Sequence, residues 1–367
     1  MNLENIAHRR LLHQQIAQPR VEHSSFDHAS QVVDWMGAMQ AQDYGQALWA
    51  VALRTTAATQ TNVEQAIAER SIVVTWLMRG TIHLVSARDV RWILELCAPR
   101  NLVAVQSRLK QLELDVRTLG RCEQLFQNAL AGRSPVTRST MFELLKQEGI
   151  NSTGQRGYHI LWHLSQTGLI CFGSRQGKEQ TFVLLDEWVP NAPTKSRDSS
   201  LAELAKRYCT SRGPATVHDF ATWAGLTLRD ARAGLESVQD QLVSETRDQT
   251  EFWWTDDAVG GFVAQGSDVH LLPGFDEYIL GYKNRLDVIT VEHAARIVPG
   301  GNGVFLPIIV IDGQVVGTWK RKVRRHGIQV LLEPFLEIVA LEERIHEAVL
   351  RYCSFVGLPL LSIEMSR

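Results

Sequence analysis

From about residue 118 the chain writes one pattern and then repeats it, and this repeat constrains the fold more than any other feature of the sequence. "LGRCEQLFQNALAGRSPVTRSTMFELLKQEGI" reads as a helix, a G-R-S-P turn and a second helix. "GQRGYHILWHLSQTGLI" supplies a third helix and "LICFGSRQGKEQTFVLL" a hairpin across a Gly-rich turn. "LAELAKRYCTSRGPATVHDFATWAGLTLRDARAGLESV", with "QLVSETRDQTEFWWT" behind it, returns to the order helix, S-R-G-P turn, helix, helix, hairpin, with Pro135 and Pro214 at equivalent positions. That layout is a winged helix, so residues 118–190 and 198–262 are expected to form tandem units. The stretch "VPNAPTKSRDSS" between them has the Pro, Ser and charge content of a linker.

The flanks read differently. Leu3, Ile6, Leu11, Leu12 and Ile16 predict a first helix closed by Pro19; Asp27 opens a second, whose apolar face includes Val32, Val33, Trp35, Met36 and Met39. A third helix is expected near Asn62–Glu69, and a helix capped by Ser86 and Asp89 carries the chain to Pro99. Residues 263–367 hold β-branched runs, a D-G turn and the closing helix "PFLEIVALEERIHEAVLRYCSFVG", so a β-rich C-terminal domain is expected.

At 367 residues and 45% hydrophobic, the chain can bury more than one core. Lys plus Arg number 38 against 40 Asp plus Glu, for a formal charge of -2, so no global field draws it to nucleic acid and a polyanion site must be a local patch. The cysteines Cys97, Cys122, Cys171, Cys209 and Cys353 form no C-x-x-C pair, which disfavours a disulfide framework and a zinc–thiolate site and fits a reducing cytoplasm. The N-terminus lacks the apolar core of a secretory signal, and no apolar run is long enough to span a bilayer.

Four constellations carry chemistry. In "WMGAMQAQDYG", Gln40 and Gln42 stand two apart; on a helix they diverge, whereas on an extended segment they share a face, and the alternative is the plain end of a helix. "TWLMRGTIHLV" shows strand spacing, with Trp76, Met78, Ile82 and Leu84 on one face and Thr75, Arg79, Thr81 and His83 on a polar, partly cationic other. Lys320, Arg321, Lys322, Arg324 and Arg325 form a basic run with no compensating acid, at a strand end or hairpin tip, suited either to phosphate contact or to protecting an edge strand. Asp276 and Glu277 follow an apolar strand as a conceivable catalytic carboxylate or a helix cap. His159 and His163, i and i+4 on a helix, have no third metal ligand nearby, and there is no G-x-x-x-x-G-K-[ST] or G-x-S-x-G. Winged helices mostly bind duplex DNA, with the third helix against a groove, and some serve as protein-interaction modules.

"MQAQD", "TWLMRGTIHLVSARD", "GRSPVTRS", "SRGPATVHDFATWAGL", "LLPGFDEYILGY" and "VVGTWKRK", in this order through nearly the whole chain, resemble the winged-helix DNA glycosylases of the AlkZ/YcaQ type. The resemblance implies an α+β fold of three tandem winged-helix (helix-turn-helix) units with a C-terminal β-barrel-like domain, held in a C-shape, the first unit occupying residues 1–117. It implies that Gln40-Ala41-Gln42 is the catalytic motif in its double-Gln form, which resembles the branch implicated in unhooking interstrand crosslinks at purine N7. The implied activity is monofunctional hydrolysis of the N-glycosidic bond of N7-alkylated purines in duplex DNA, in repair or genotoxin self-resistance, by a cytoplasmic monomer without metal or cofactor. Arg79, Thr81 and His83 are candidate contacts to phosphate or lesion, and the Lys320, Arg321, Lys322, Arg324 and Arg325 hairpin a candidate probe of the groove. The competing reading is a non-enzymatic winged-helix DNA-binding protein, a regulator or damage-recognition factor.

Overall fold

The structure is a computed structural model and describes residues 5–17, 26–132, 134–256, 268–337 and 341–366. Leu3 and Pro19, expected to start and stop the first helix, Arg133 of the G-R-S-P turn, and the expected domain boundary at 262–263 lie outside the described residues. So do three residues, 338–340, near the start of the expected closing helix.

In chain order, α1 (Ile6–His13) and α2 (Ala29–Met36) lead to strand β1 (Ala38–Gln40), α3 (Tyr44–Ala52), α4 (Gln60–Ala68) and the hairpin β2 (Ile72–Trp76) and β3 (Ile82–Ser86). Helices α5 (Val90–Ala104) and α6 (Gln106–Gln111) follow. Then α7 (Val116–Leu130), β4 (Val136–Thr137), α8 (Arg138–Gln147), α9 (Arg156–Gln166) and the hairpin β5 (Ile170–Phe172) and β6 (Thr181–Leu184) repeat the order seen from α2 to β3. After α10 (Leu185–Trp188) come α11 (Arg197–Arg212), α12 (Val217–Ala224), α13 (Leu228–Glu236) and the hairpin β7 (Val243–Arg247) and β8 (Thr250–Trp254). The C-terminal part holds β9 (Val269–Leu272), α14 (Glu277–Leu280), α15 (Val291–Ile297), β10 (Ile308–Ile311), β11 (Gln314–Arg324), β12 (Gly327–Pro334), α16 (Glu342–Val356) and β13 (Leu360–Met365). No helix is long and apolar enough to cross a membrane among the described residues.

The first two hairpins join. A six-stranded antiparallel sheet runs β1-β3-β2-β5-β6-β4, with Val74 of β2 paired to Phe172 of β5, so the expected boundary at residue 117 cuts across one continuous sheet. Every residue of β2 and β3 is buried. Alternate positions feed different cores: Ile72, Val74 and Leu84 face the one shared with the C-terminal sheet, and Val73 and Val85 the one shared with α5 and α11 to α13. A strand covered on both faces carries an apolar run instead of alternation, which is what "IVVTW" shows. At α9, Ile160, Leu161, Trp162 and Leu164 are buried and Trp162 Nε1 donates to Gly80 O at 2.9 Å, while the polar Tyr158, His159 and His163 stay partly exposed.

The C-terminal strands form an open five-stranded sheet, β13-β12-β11-β10-β9, rather than the β-barrel-like domain expected. Closure would need β9 to pair with β13. Instead α16 crosses over from β12 to a parallel β13 and packs against β9, so a helix covers the face that a barrel would enclose. Among the described residues the last element is thus the strand β13, which follows the closing helix that sequence suggests. Tyr352 and Phe355 of α16 meet Trp49 of α3 at ring-centroid distances of 5.2 and 5.1 Å, and Trp49 Nε1 donates to Leu271 O at 2.8 Å. The helix that follows the amide motif is therefore bolted to the C-terminal sheet. Helix α5 passes through Pro99 to Ala104, beyond its expected stop, because Asn101 Nδ2 ties the last turns to Leu77 O and Gln166 Oε1 at 2.9 and 2.8 Å.

Candidate active site

Gln40 closes β1 and Gln42 sits at the bend after it, between α2 and α3. Gly37, at φ 71, ends α2 with a backbone that favours glycine, and the Asp43 side chain starts α3 by accepting from Gln46 N at 3.1 Å. The motif is held off the helix between these two caps. Pairing with β3 sets Gln40 opposite His83, and Ala41 N donates to Ile82 O at 2.7 Å. Gln40 is half-buried and Gln42 exposed, with Gln42 Oε1 accepting weakly from Ile82 N at 3.4 Å.

Behind Gln40 lies a buried polar cluster drawn from three parts of the chain. Glu277 is 1% exposed. Its Oε1 accepts from Gln40 N at 2.9 Å; its Oε2 accepts from Arg212 Nη2 at 2.7 Å, Arg212 Nε at 3.1 Å and Trp223 Nε1 at 2.8 Å. Burial pushes the Glu277 carboxyl up, but the Arg212 charge, the Gln40 N–H and the Arg79 charge outweigh it and hold the group below its ordinary value. Arg212 also donates to Met36 O at 2.7 Å and Ala38 O at 2.8 Å, tying off the end of α2 and the start of β1. With both oxygens committed, Glu277 fixes the strand and is not free to take a proton. Asp276 caps α14, as one of the two readings has it, and pairs with Arg54 at 2.9 and 2.8 Å, while Glu277 braces the strand.

Arg79 sits in the turn between β2 and β3 with a left-handed backbone, φ 55 and ψ 11. Its Nη2 donates to Gln40 Oε1 at 2.8 Å. Burial lowers its pKa and the Glu277 charge opposes the shift. Thr81 is half-buried, and its hydroxyl donates to Met78 O at 3.2 Å. His83 does not fit a DNA contact, being fully buried with Nδ1 donating to Thr81 O at 2.9 Å. Burial, reinforced by the Arg79 charge, lowers its pKa to about 3, so the ring is neutral. The alternation that groups Thr75 with His83 is correct, since the two are paired in register, but Glu277, Arg212 and the helices α11 and α12 cover that face.

The basic run occupies the far half of β11 and its tight turn into β12, Arg324 pairing with Gly327 across Arg325 and His326. It is not wholly uncompensated, since Lys320 Nζ meets Glu333 at 2.7 Å and Arg321 lies over the rings of Trp319 and Tyr352 at 5.7 and 5.6 Å. Lys322, Arg324 and Arg325 are exposed and face no acid among the described residues. His159 Nδ1 bonds Gln155 O at 2.9 Å, and among the described residues no group of three or more His, Cys, Asp and Glu could hold a metal ion.

Sequence reasoning missed Arg212 and Trp223, which lie in the quoted "SRGP" and "ATWAGL" strings with nothing to show that they meet residue 40, and it left Glu277 without a partner. It also missed Arg175, carried by the β5–β6 turn onto the Tyr44 ring at 3.8 Å. Tyr44, Arg175, Phe172, Ile82 and Gln42 line a slot of about 30 Å³. A void of this size holds a water or two.

A family model for AlkZ-like DNA glycosylases matches residues 33–355. The chain belongs to that family and is a DNA glycosylase. It is 26% identical over 323 residues to an interstrand DNA cross-link repair glycosylase of Streptomyces sahachiroi, covering 84% of this chain and 85% of that protein. The solved structure of Streptomyces sahachiroi DNA glycosylase AlkZ superposes with a TM-score of 0.79 over 100% of both chains at 23% identity, a likeness of fold.

Proposed function

We propose that this glycosylase hydrolyses the N-glycosidic bond of N7-alkylated purines in duplex DNA, interstrand crosslinks included, with Gln40 and Gln42 ordering the water. The observation that carries the reading is the uncharged amide of Gln40 at a strand end whose backbone is pinned by a buried, fully engaged carboxylate, with the second amide, Gln42, exposed at the bend two residues on. A purine alkylated at N7 is already a cation, so the C1′–N9 bond can break with its electrons passing to the base, which leaves neutral. The sugar is left oxocarbenium-like; a water adds to C1′ and gives its proton to solvent. Such a step needs orientation more than a strong base, and amides orient water without titrating. The slot beside Gln42 is large enough to hold a water next to that amide, as a hydrolytic step requires.

On this reading the three helix–helix–hairpin segments act as winged-helix units along a concave, C-shaped cleft, and the protein works as a monomer. Lys320, Arg321, Lys322, Arg324 and Arg325 carry the hairpin into a groove, and Thr81 lies at the cleft wall. The relative's name, an interstrand cross-link repair glycosylase, supports the crosslink as substrate class. The test is base release from duplexes carrying an N7-alkylguanine or an N7–N7 guanine crosslink. Wild type is expected to release base from both, while Gln40→Ala and Gln42→Ala bind as wild type but lose about 100-fold or more in single-turnover rate. A wild-type protein that binds both duplexes and releases no base rejects the proposal in favour of a damage-recognition protein.

A further inference from the structure

Arg79 touches Gln40 directly, and its surroundings make that contact rigid. The turn that presents it is closed by Gly80 N donating to Leu77 O at 3.2 Å and Thr81 N donating to Met78 O at 3.1 Å. On its other side stands Gly225, the end of α12, where an added Cβ would lie 3.2 Å from Arg79 Cγ and 3.3 Å from Arg79 N. The backbone is left-handed, and Nη1 is sealed from solvent without a partner. The side chain thus has little freedom to swing toward a duplex.

A guanidinium carries donors and no acceptor, so the carboxamide atom that faces Nη2 is the oxygen. That leaves Gln40 Nε2 without a protein partner among the described residues and a second lone pair on Oε1 not used by Arg79. We propose that Arg79 is a positioning residue for the reaction: by holding Gln40 Oε1 it fixes the rotation of the carboxamide and so decides which of its atoms meet the water and the sugar. The inference rests on the glycosylase reading of Gln40. It differs from the expectation that Arg79 binds phosphate, because its charge stays inside the protein beside Glu277 and its contact is with the catalytic amide.

The test compares wild type with Arg79→Ala, Arg79→Met and Arg79→Lys on the N7-alkylguanine duplex, measuring thermal stability, duplex affinity against salt, and single-turnover rate at saturating enzyme. Arg79→Met keeps the stem against Gly225, loses every donor, and carries the test if Arg79→Ala does not fold. The expected result is a saturated rate about 10- to 100-fold down in Ala and Met, with affinity and salt slope as in wild type. Arg79→Lys, which keeps a charged donor, should recover part of the loss. An unchanged saturated rate in Ala and Met overturns the proposal, as does weaker binding with a salt slope shallower by about one at wild-type saturated rate, the mark of a phosphate contact. A wild-type protein that releases no base is a separate result, rejecting the glycosylase chemistry itself.

Discussion

At the scale of single residues, three imidazoles, His13 and His83 in the core and the half-buried His270, stay neutral near pH 7. Burial lowers His13 to about 4, His83 to about 3 and His270 to about 4, against an ordinary value of 6.5. The unfolded chain takes up these protons below pH 6.5 while the folded chain refuses them. Their contribution to stability is therefore complete above pH 6.5 and is lost as the pH falls toward 4, at up to about 1.4 kcal/mol per pH unit for each ring. Urea unfolding between pH 7 and 4.5 should show the midpoint falling, and His83→Gln should make that fall shallower; a flat wild-type profile would contradict the burial of these rings. Glu277, whose carboxyl is held below its ordinary value of 4.5, adds its own loss of stability only at the acid end of this window, where the unfolded carboxyl begins to take up a proton. Alternation in "TWLMRGTIHLV" is legible and groups His83 with Thr75 correctly. What a local pattern cannot say is that helices more than a hundred residues away land on that face and turn a polar surface into an interior.

At the scale of elements, the β11–β12 hairpin is the part most open to a charge test. Lys322, Arg324 and Arg325 are exposed and face no acid among the described residues, so replacing each with Ala should weaken duplex binding and make the dependence of log affinity on log salt shallower by about 0.9 for each phosphate no longer neutralised. Binding titrations at several salt concentrations would show this, and three variants with wild-type slopes would mean that the tip serves only to guard an edge. The hairpin is readable in sequence because a tight turn and a charge cluster coincide. Helix α3 is not: Gln46 to Ala52 are buried on all sides, so "GQALWAVA" has no apolar face for periodicity to detect. Strand β13 is missed for a related reason, since its pairing partner β12 lies across an intervening helix and its own alternation is weak.

At the scale of the whole molecule, the site exists because distant segments interlock through buried ion pairs. Arg212 meets Glu277 across 65 residues and Arg54 meets Asp276 across 222, all four side chains at most 1% exposed. Removing one partner strands the other charge in the interior, so Glu277→Ala should cost about 3–5 kcal/mol in chemical denaturation, against under about 0.5 kcal/mol for an exposed control such as Glu143→Ala. Equal effects would show that the pair is dispensable. The hydrogen bond from Gln40 to Glu277 spans 237 residues of chain. At synthesis rates of about 5–20 residues per second, the amide pair leaves the ribosome on the order of ten to fifty seconds before the carboxylate that braces it. A nascent chain therefore exposes the two amides well before the carboxylate that holds their strand in place has been made.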